Sequence, residues 1–151
     1  MTSHTVSASD PVVSGDDLND ALGFVRRVEI SDEGRATVEY RAGLHMCHSG
    51  GVVQGGFVTG WIDAAMAHAV MAMTAFEMTP MSLELKVSFF APARPGPVFA
   101  EAWVEQKGKS TCFVEGRLRD GQGVVLAKAS STIRLIPRHK VEQGSREAVG
   151  G

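Results

Sequence analysis

The sequence predicts an α+β domain in which a curled antiparallel β-sheet wraps around one long central helix. Three observations predict it. Residues 57–76 are almost uniformly apolar and are opened by Gly55-Gly56; a helix that is apolar nearly all round is one that protein covers. Four stretches of period-two alternation follow, joined by short turns, as in an antiparallel sheet. Two more strand-like stretches come before the helix.

The elements follow in order. Residues 1–18 are polar, with no charged segment leading into an apolar one, so an export signal is not indicated and a disordered tail is expected. The folded domain is expected over 19–137. In 23–30 and 35–41, β-branched and aromatic residues flank Ser31-Asp32-Glu33-Gly34, giving strand, turn and strand. Residues 45–53 are irregular, with Gly50-Gly51 marking a loop before the helix, and Thr79-Pro80 is expected to end the helical region. Leu83, Leu85, Val87 and Phe89 then alternate with Ser82, Glu84, Lys86 and Ser88 as in a half-buried strand. The proline-rich run 92–97 is a stiff turn before a strand over 98–105, and Lys107-Gly108-Lys109 turns into the next. There Cys112, Val114 and Leu118 face one side, and Glu115, Arg117 and Arg119 the other. Asp120-Gly121-Gln122-Gly123 is a hairpin signal leading to the last strand, 124–136. The polar segment 138–151 is expected to be a disordered tail.

Composition sets the outer limits. The chain has 151 residues, enough for one core, with 44% hydrophobic and 21% charged residues and a net charge of -2. With no basic run longer than Arg138-His139-Lys140, nucleic acid is not an expected partner. Cys47 and Cys112 have no paired spacing and read as reduced thiols of a cytoplasmic protein. Residues 57–76 have the length of a membrane span, but Asp63, His68 and the lack of flanking Lys/Arg clusters argue against one.

Candidate chemistry gathers at the start of the helix. Gly55 and Gly56 permit close backbone approach, and a helix N-terminus presents unpaired N–H groups and positive potential to a developing negative charge. Asp63 follows Gly55 by eight residues, more than two turns along the same helix. His45, Cys47 and His48 fit no zinc spacing, so no metal site is expected. His68 reads as an interior histidine, Met66, Met71, Met73 and Met78 as core filler or the lining of an acyl tunnel, and Cys112 as core.

Three segments in this order carry a resemblance: Gly50-Gly51-Val52-Val53-Gln54-Gly55-Gly56 with Asp63, then Phe89-Phe90-Ala91-Pro92-Ala93-Arg94-Pro95-Gly96, then Lys107-Gly108-Lys109-Ser110-Thr111. Together they resemble the hotdog-fold thioesterases, in particular the phenylacetic-acid-pathway (PaaI-like) type of acyl-CoA thioesterase, over residues 23–136. The resemblance implies hydrolysis of an acyl- or aryl-CoA thioester to the free acid and CoA, with no metal or redox cofactor. It implies Asp63 as nucleophile or general base, the Gly55 N–H as donor to the thioester oxygen, and Ser82 as a residue that helps hold the water. It also implies a homodimer that pairs into a dimer of dimers, with Asp63 working across the interface beside Gly55 of the partner.

Two positions depart from the family pattern. Gln54 stands where the family has a His opening the helix, and His48 where an Asn or Gln is usual six residues earlier. Gln54 offers an amide donor but cannot exchange a proton at neutral pH, whereas an imidazole at position 48 can. Gln54 and His48 are thus expected to orient the carbonyl and the water. Arg94, Lys107 and Lys109 are candidates for the CoA phosphates. Two alternatives remain: a non-catalytic acyl-CoA binding or sensing protein, and an enoyl-CoA hydratase of the same fold. The hydratase would pair an Asp with a nearby His; His68 lies five residues after Asp63, about 140° around the helix.

Overall fold

A computed structural model describes residues 15–150. Helix α1 (Gly15–Leu22) leads into strands β1 (Phe24–Ser31) and β2 (Arg35–Ala42). A 3-10 turn at Leu44–Met46 and two short strands, β3 (Cys47–His48) and β4 (Val52–Val53), deliver the chain to helix α2 (Gly55–Met73). Strands β5 (Met78–Phe89), β6 (Gly96–Lys107), β7 (Thr111–Asp120) and β8 (Val125–Pro137) follow, and helix α3 (Arg138–Gly150) closes the described chain. Six strands form one sheet in the order β1-β2-β6-β7-β8-β5, every neighbouring pair antiparallel. This is the expected α+β architecture, a hotdog fold with α2 against the inner face of the sheet.

The core forms where the inner stripe of each strand meets one face of α2. Val58, Trp61, Ile62, Ala65, Met66, Ala69 and Val70 recur at helical spacing and are buried against Val38, Tyr40, Ala100, Val114, Leu118 and Ile133. Trp61, Ile62 and Met66 are fully buried, and each such side chain contributes roughly 1.5–3 kcal/mol by leaving water. The Trp61 indole stacks on Tyr40 with ring centroids 6.1 Å apart, and its N–H donates to the Leu22 carbonyl at 2.7 Å, which ties α1 to α2. Cys112 is buried as expected, and burial raises its thiol pKa. The opposite face of α2, running through Gly56, Thr59, Asp63, Ala64 and Ala67, is only partly covered. The sheet therefore wraps one side of the helix and leaves the other open.

On the outer face, Glu101 of β6 accepts from Arg117 Nε at 2.8 Å and from Arg119 Nε, both on β7. Arg117 lies over the Trp103 ring and Arg119 over the Phe99 ring. Burial pushes the Glu101 carboxyl up, but the hydrogen bonds and charge of Arg119 and Arg117 together outweigh it and hold the pKa below its ordinary value.

Four local expectations are revised. Helix α2 ends at Met73, well before Thr79-Pro80; Ala75 and Phe76 turn the chain with φ of 53° and 62°, and Pro80 lies inside β5. Because β5 is an edge strand, proline's missing N–H is tolerated there. Leu83 does not share the inner face with Leu85 and Val87, because a register shift between Ser82 and Glu84 turns it outward, 61% exposed. At the N-terminus the expected tail gives way to α1 within residues 15–18, while residues 1–14 lie outside the described chain. At the C-terminus α3 occupies the expected tail, joined to the body by the Arg138 N–H donating to Glu77 O at 3.0 Å, with an exposed Arg138–Glu142 ion pair across its first turn. No helix among the described residues is long and apolar enough to cross a membrane.

Candidate active site

The entry to α2 is pinned on both sides. The Val53 N–H donates to Ala93 O and the Gln54 N–H to Met46 O, both at 2.9 Å. Gln54 is the N-cap, in extended conformation, and its Oε1 accepts from the Gly56 N–H at 2.8 Å. The Phe57 N–H turns back to Gln54 O at 3.0 Å. Of the first three N–H groups of the helix, only that of Gly55 has no partner among the described residues. It is the one left to receive an external acceptor.

Gly55 opens onto a groove of about 410 Å³ whose wall also includes His48, Val58, Phe89, Phe90 and Pro92. Phe89 closes on the glycine, so that a Cβ on Gly55 would stand 3.3 Å from its ring. Phe89 and Phe90 are each more than half exposed, which leaves the groove a broad apolar rim. The arrangement thus joins one backbone donor, one imidazole and two phenyl rings. Gln54 is not among the residues that wall the groove.

The carboxylate stands elsewhere. Asp63 is half-buried on the open face of α2 and accepts from the Ser82 hydroxyl at 3.0 Å. Ser82 reaches it because it sits opposite Ile133 of β8, on the inner side of the edge strand. Eight residues of helix separate Asp63 from Gly55, about 12 Å along the axis, so the two do not meet within one chain. His68 turns to its own helix, Nδ1 lying 2.7 Å from Ala64 O. Burial lowers its pKa, the Ala64 hydrogen bond opposes this, and Arg27 adds to the lowering.

Of the basic candidates, Arg94 lies beside the groove and donates to Gly50 O at 3.2 Å. Lys107 and Lys109 are exposed at the far end of β6, whose 12 residues span about 40 Å. One chain therefore brings Gly55, His48 and Arg94 to one end and Asp63 and Ser82 toward the other. The β6–β7 hairpin with Lys109 belongs to the second end, since Arg134 of β8 faces both Thr111 and Met81. Sequence reasoning misses Phe89 and Phe90 as groove residues: it assigns Phe89 to strand alternation and gives Phe90 no role, and their position just before the Pro92 turn is the available signal. Among the described residues no three His, Cys, Asp or Glu side chains gather as a metal site needs.

Comparison with known proteins adds an independent line. The sequence pattern of the thioesterase superfamily matches residues 50–127, which contain Gly55, Asp63, Ser82 and Arg94. A predicted esterase of Saccharolobus solfataricus is 33% identical over 111 residues, covering 74% of this chain and 78% of that protein. A predicted thioesterase of Ralstonia eutropha, described as related to phenylacetic acid degradation, superposes with a TM-score of 0.72 at 28% identity, over 81% of this chain and 92% of its own. The PaaI protein of the E. coli phenylacetic acid degradation operon shares the fold, with a TM-score of 0.74 at 22% identity over 81% of this chain and 86% of its own.

Proposed function

The chain belongs to the thioesterase superfamily, and from that premise we propose that it hydrolyses an acyl- or aryl-CoA thioester to the free acid and CoA. The observation that carries this reading is the unclaimed Gly55 N–H, which opens onto an apolar-rimmed groove beside His48. A fixed backbone donor aimed at a developing oxyanion is often the largest single contribution to acyl-transfer catalysis.

The working unit in this proposal is a homodimer formed through β5, with pairing of dimers as a further step. Strand β5 is a sheet edge with an unpaired row of backbone groups, and Met81, Leu83 and Phe89 on it are exposed. Antiparallel pairing of two β5 strands reverses one chain against the other. The Phe89 end of one subunit, with Gly55 and His48, then meets the Ser82 end of the other, with Asp63 of the partner subunit. The same reversal brings Arg94 toward Lys107 and Lys109 of the partner subunit, a basic rim for the CoA phosphates.

In this site the thioester oxygen accepts from the Gly55 N–H. Asp63 of the partner subunit takes a proton from a water held with the help of Ser82 and His48. The resulting hydroxide adds to the carbonyl carbon, the C–S bond breaks, and CoA leaves as thiolate and takes up a proton. In the nucleophilic variant Asp63 adds first, and water then hydrolyses the mixed anhydride. Neither route changes an oxidation state, so no redox cofactor enters. Two free cysteines, one buried and one half-buried, suit a reducing cytoplasm.

The test is release of free thiol from short, medium and aromatic acyl-CoAs. Turnover that disappears in Asp63→Asn while CoA binding persists supports the enzyme. Tight binding of every acyl-CoA with no turnover by the wild type overturns it in favour of a binding protein.

A further inference from the structure

We infer that Gln54 is a positioning residue: it caps α2 so that the Gly55 N–H alone is offered to the groove, and its amide does not touch the substrate. The inference rests on reading the groove as the thioester site. Its basis is a count of donors. At a helix start several N–H groups lack intrahelical partners, and a substrate oxygen could accept from any that point outward. Here the Phe57 N–H is satisfied by Gln54 O and the Gly56 N–H by Gln54 Oε1. Gln54 therefore closes two of the three donors, one with its backbone and one with its side chain.

Gly56 completes the device. A Cβ built on Gly56 would lie 2.6 Å from Gln54 Oε1 and 3.4 Å from Cδ and Nε2, so the carboxamide lies directly over the bare glycine. The family's imidazole, were it at position 54, could exchange a proton; this amide cannot, and its acceptor is already committed. His48, not Gln54, is the polar side chain that walls the groove together with Gly55.

Three variants separate cap from contact. Gln54→Ser keeps a good capping oxygen but has no amide; Gln54→Ala has neither; Gln54→Asn keeps both in shorter form. Amide exchange by NMR should show Gly56 slowed and Gly55 fast in the wild type, with Gly56 released in Gln54→Ala and slowed again in Gln54→Ser. The Tm should drop by about 2–4 °C in Gln54→Ala and return in Gln54→Ser. With the best acyl-CoA, kcat should fall by about 10-fold in Gln54→Ala at nearly constant KM, and Gln54→Ser should restore it to within about 3-fold. A Gln54→Ser protein that melts like wild type but loses 100-fold or more in kcat would overturn the inference, since that is the loss expected on deleting a direct oxyanion donor. Fast exchange of Gly56 in the wild type would overturn it without any assay. A wild type inert toward every acyl-CoA sinks the thioesterase reading instead, and the exchange and melting data still decide the cap.

Discussion

The Ser82 hydroxyl donates to Asp63 Oδ1 at 3.0 Å, joining the sheet's edge strand to the middle of its central helix. The bond engages one carboxylate oxygen, and in the proposed reaction Oδ2 is the one that meets the water or the carbonyl. Asp63→Asn should lower kcat by about 10³-fold or more, because it removes the proposed base or nucleophile. Ser82→Ala removes one hydrogen bond, and the loss should be about 10-fold. Steady-state kinetics on both variants check the ratio; equal losses would place Ser82 in direct contact with the reacting atoms.

The proposed site, built from two chains, can be tested by mixing variants. Gly55→Val places a side chain against the Phe89 ring and should block the oxyanion position, while Asp63→Asn disables the carboxylate. Each variant alone should be nearly inactive. Subunit exchange between the two should restore activity toward one site in each mixed dimer, because one of its two composite sites then carries both wild-type residues. Leu83→Lys, on the exposed edge of β5, should shift the protein toward monomer in sedimentation and lower kcat in parallel. Full activity in a monomeric Leu83→Lys protein would show that each chain works alone.

Stability should fall on both sides of neutrality. His68 and Glu101 have pKa values lowered in the fold, so the unfolded chain takes up their protons first as pH drops. Their contribution is present above the ordinary values of 6.5 and 4.5 and is lost below them, His68 first and Glu101 next. Cys112 and Tyr40 are raised by burial, and the unfolded chain releases their protons first as pH climbs. Tyr40 moves from 10.0 to about 12, and its hydroxyl is buried with no partner among the described residues. That rise corresponds to about 2–3 kcal/mol of stability lost across the window. Urea melts from pH 4 to 11 should trace a dome; His68→Gln should flatten its acid side near pH 6, and Tyr40→Phe its alkaline side.

Gln54 and Gly56 should be energetically coupled. Gly56→Ala in the wild type forces the carboxamide away from the helix start, and the lost cap should outweigh alanine's better helix propensity. In a Gln54→Ser background nothing is displaced, and the same substitution should be neutral or stabilising. A double-mutant cycle by thermal melts should give an interaction of about 1 kcal/mol. Additive effects would mean that the cap does not lie over Gly56.

The parts of the fold that the sequence made legible are those with two-sided contrast. The alternation in β7 came out with Cys112, Val114 and Leu118 buried, and the apolar run from Phe57 came out as the central helix. Edges were harder to read. In β5 a register shift beside Ser82 breaks the period-two rule, so Leu83 read as an inner residue and stands outside. Helix α1 has only eight residues, of which the sequence assigns the first four, 15–18, to a tail; its hold on the body comes from Leu22 and the Trp61 indole, a contact 39 residues distant in sequence. The candidate site residues Gly55, Asp63 and Ser82 were named through resemblance to a family, and the fold joins Ser82 to Asp63. The cap made by Gln54 was not, because it depends on a rotamer, and a side chain that reaches back two residues leaves no periodic trace.

The placement of Trp61 gives the molecule a built-in optical reporter. It lies on α2 between Gly55 and Asp63, fully buried and stacked on Tyr40, while the only other tryptophan, Trp103, lies half-exposed under Arg117 on the far side of the sheet. Acrylamide should therefore quench one emitter and spare the other. The spared, blue-shifted emission belongs to the helix that carries both halves of the proposed chemistry, so the proposed ligand and the proposed dimer can both be tested in unlabelled protein.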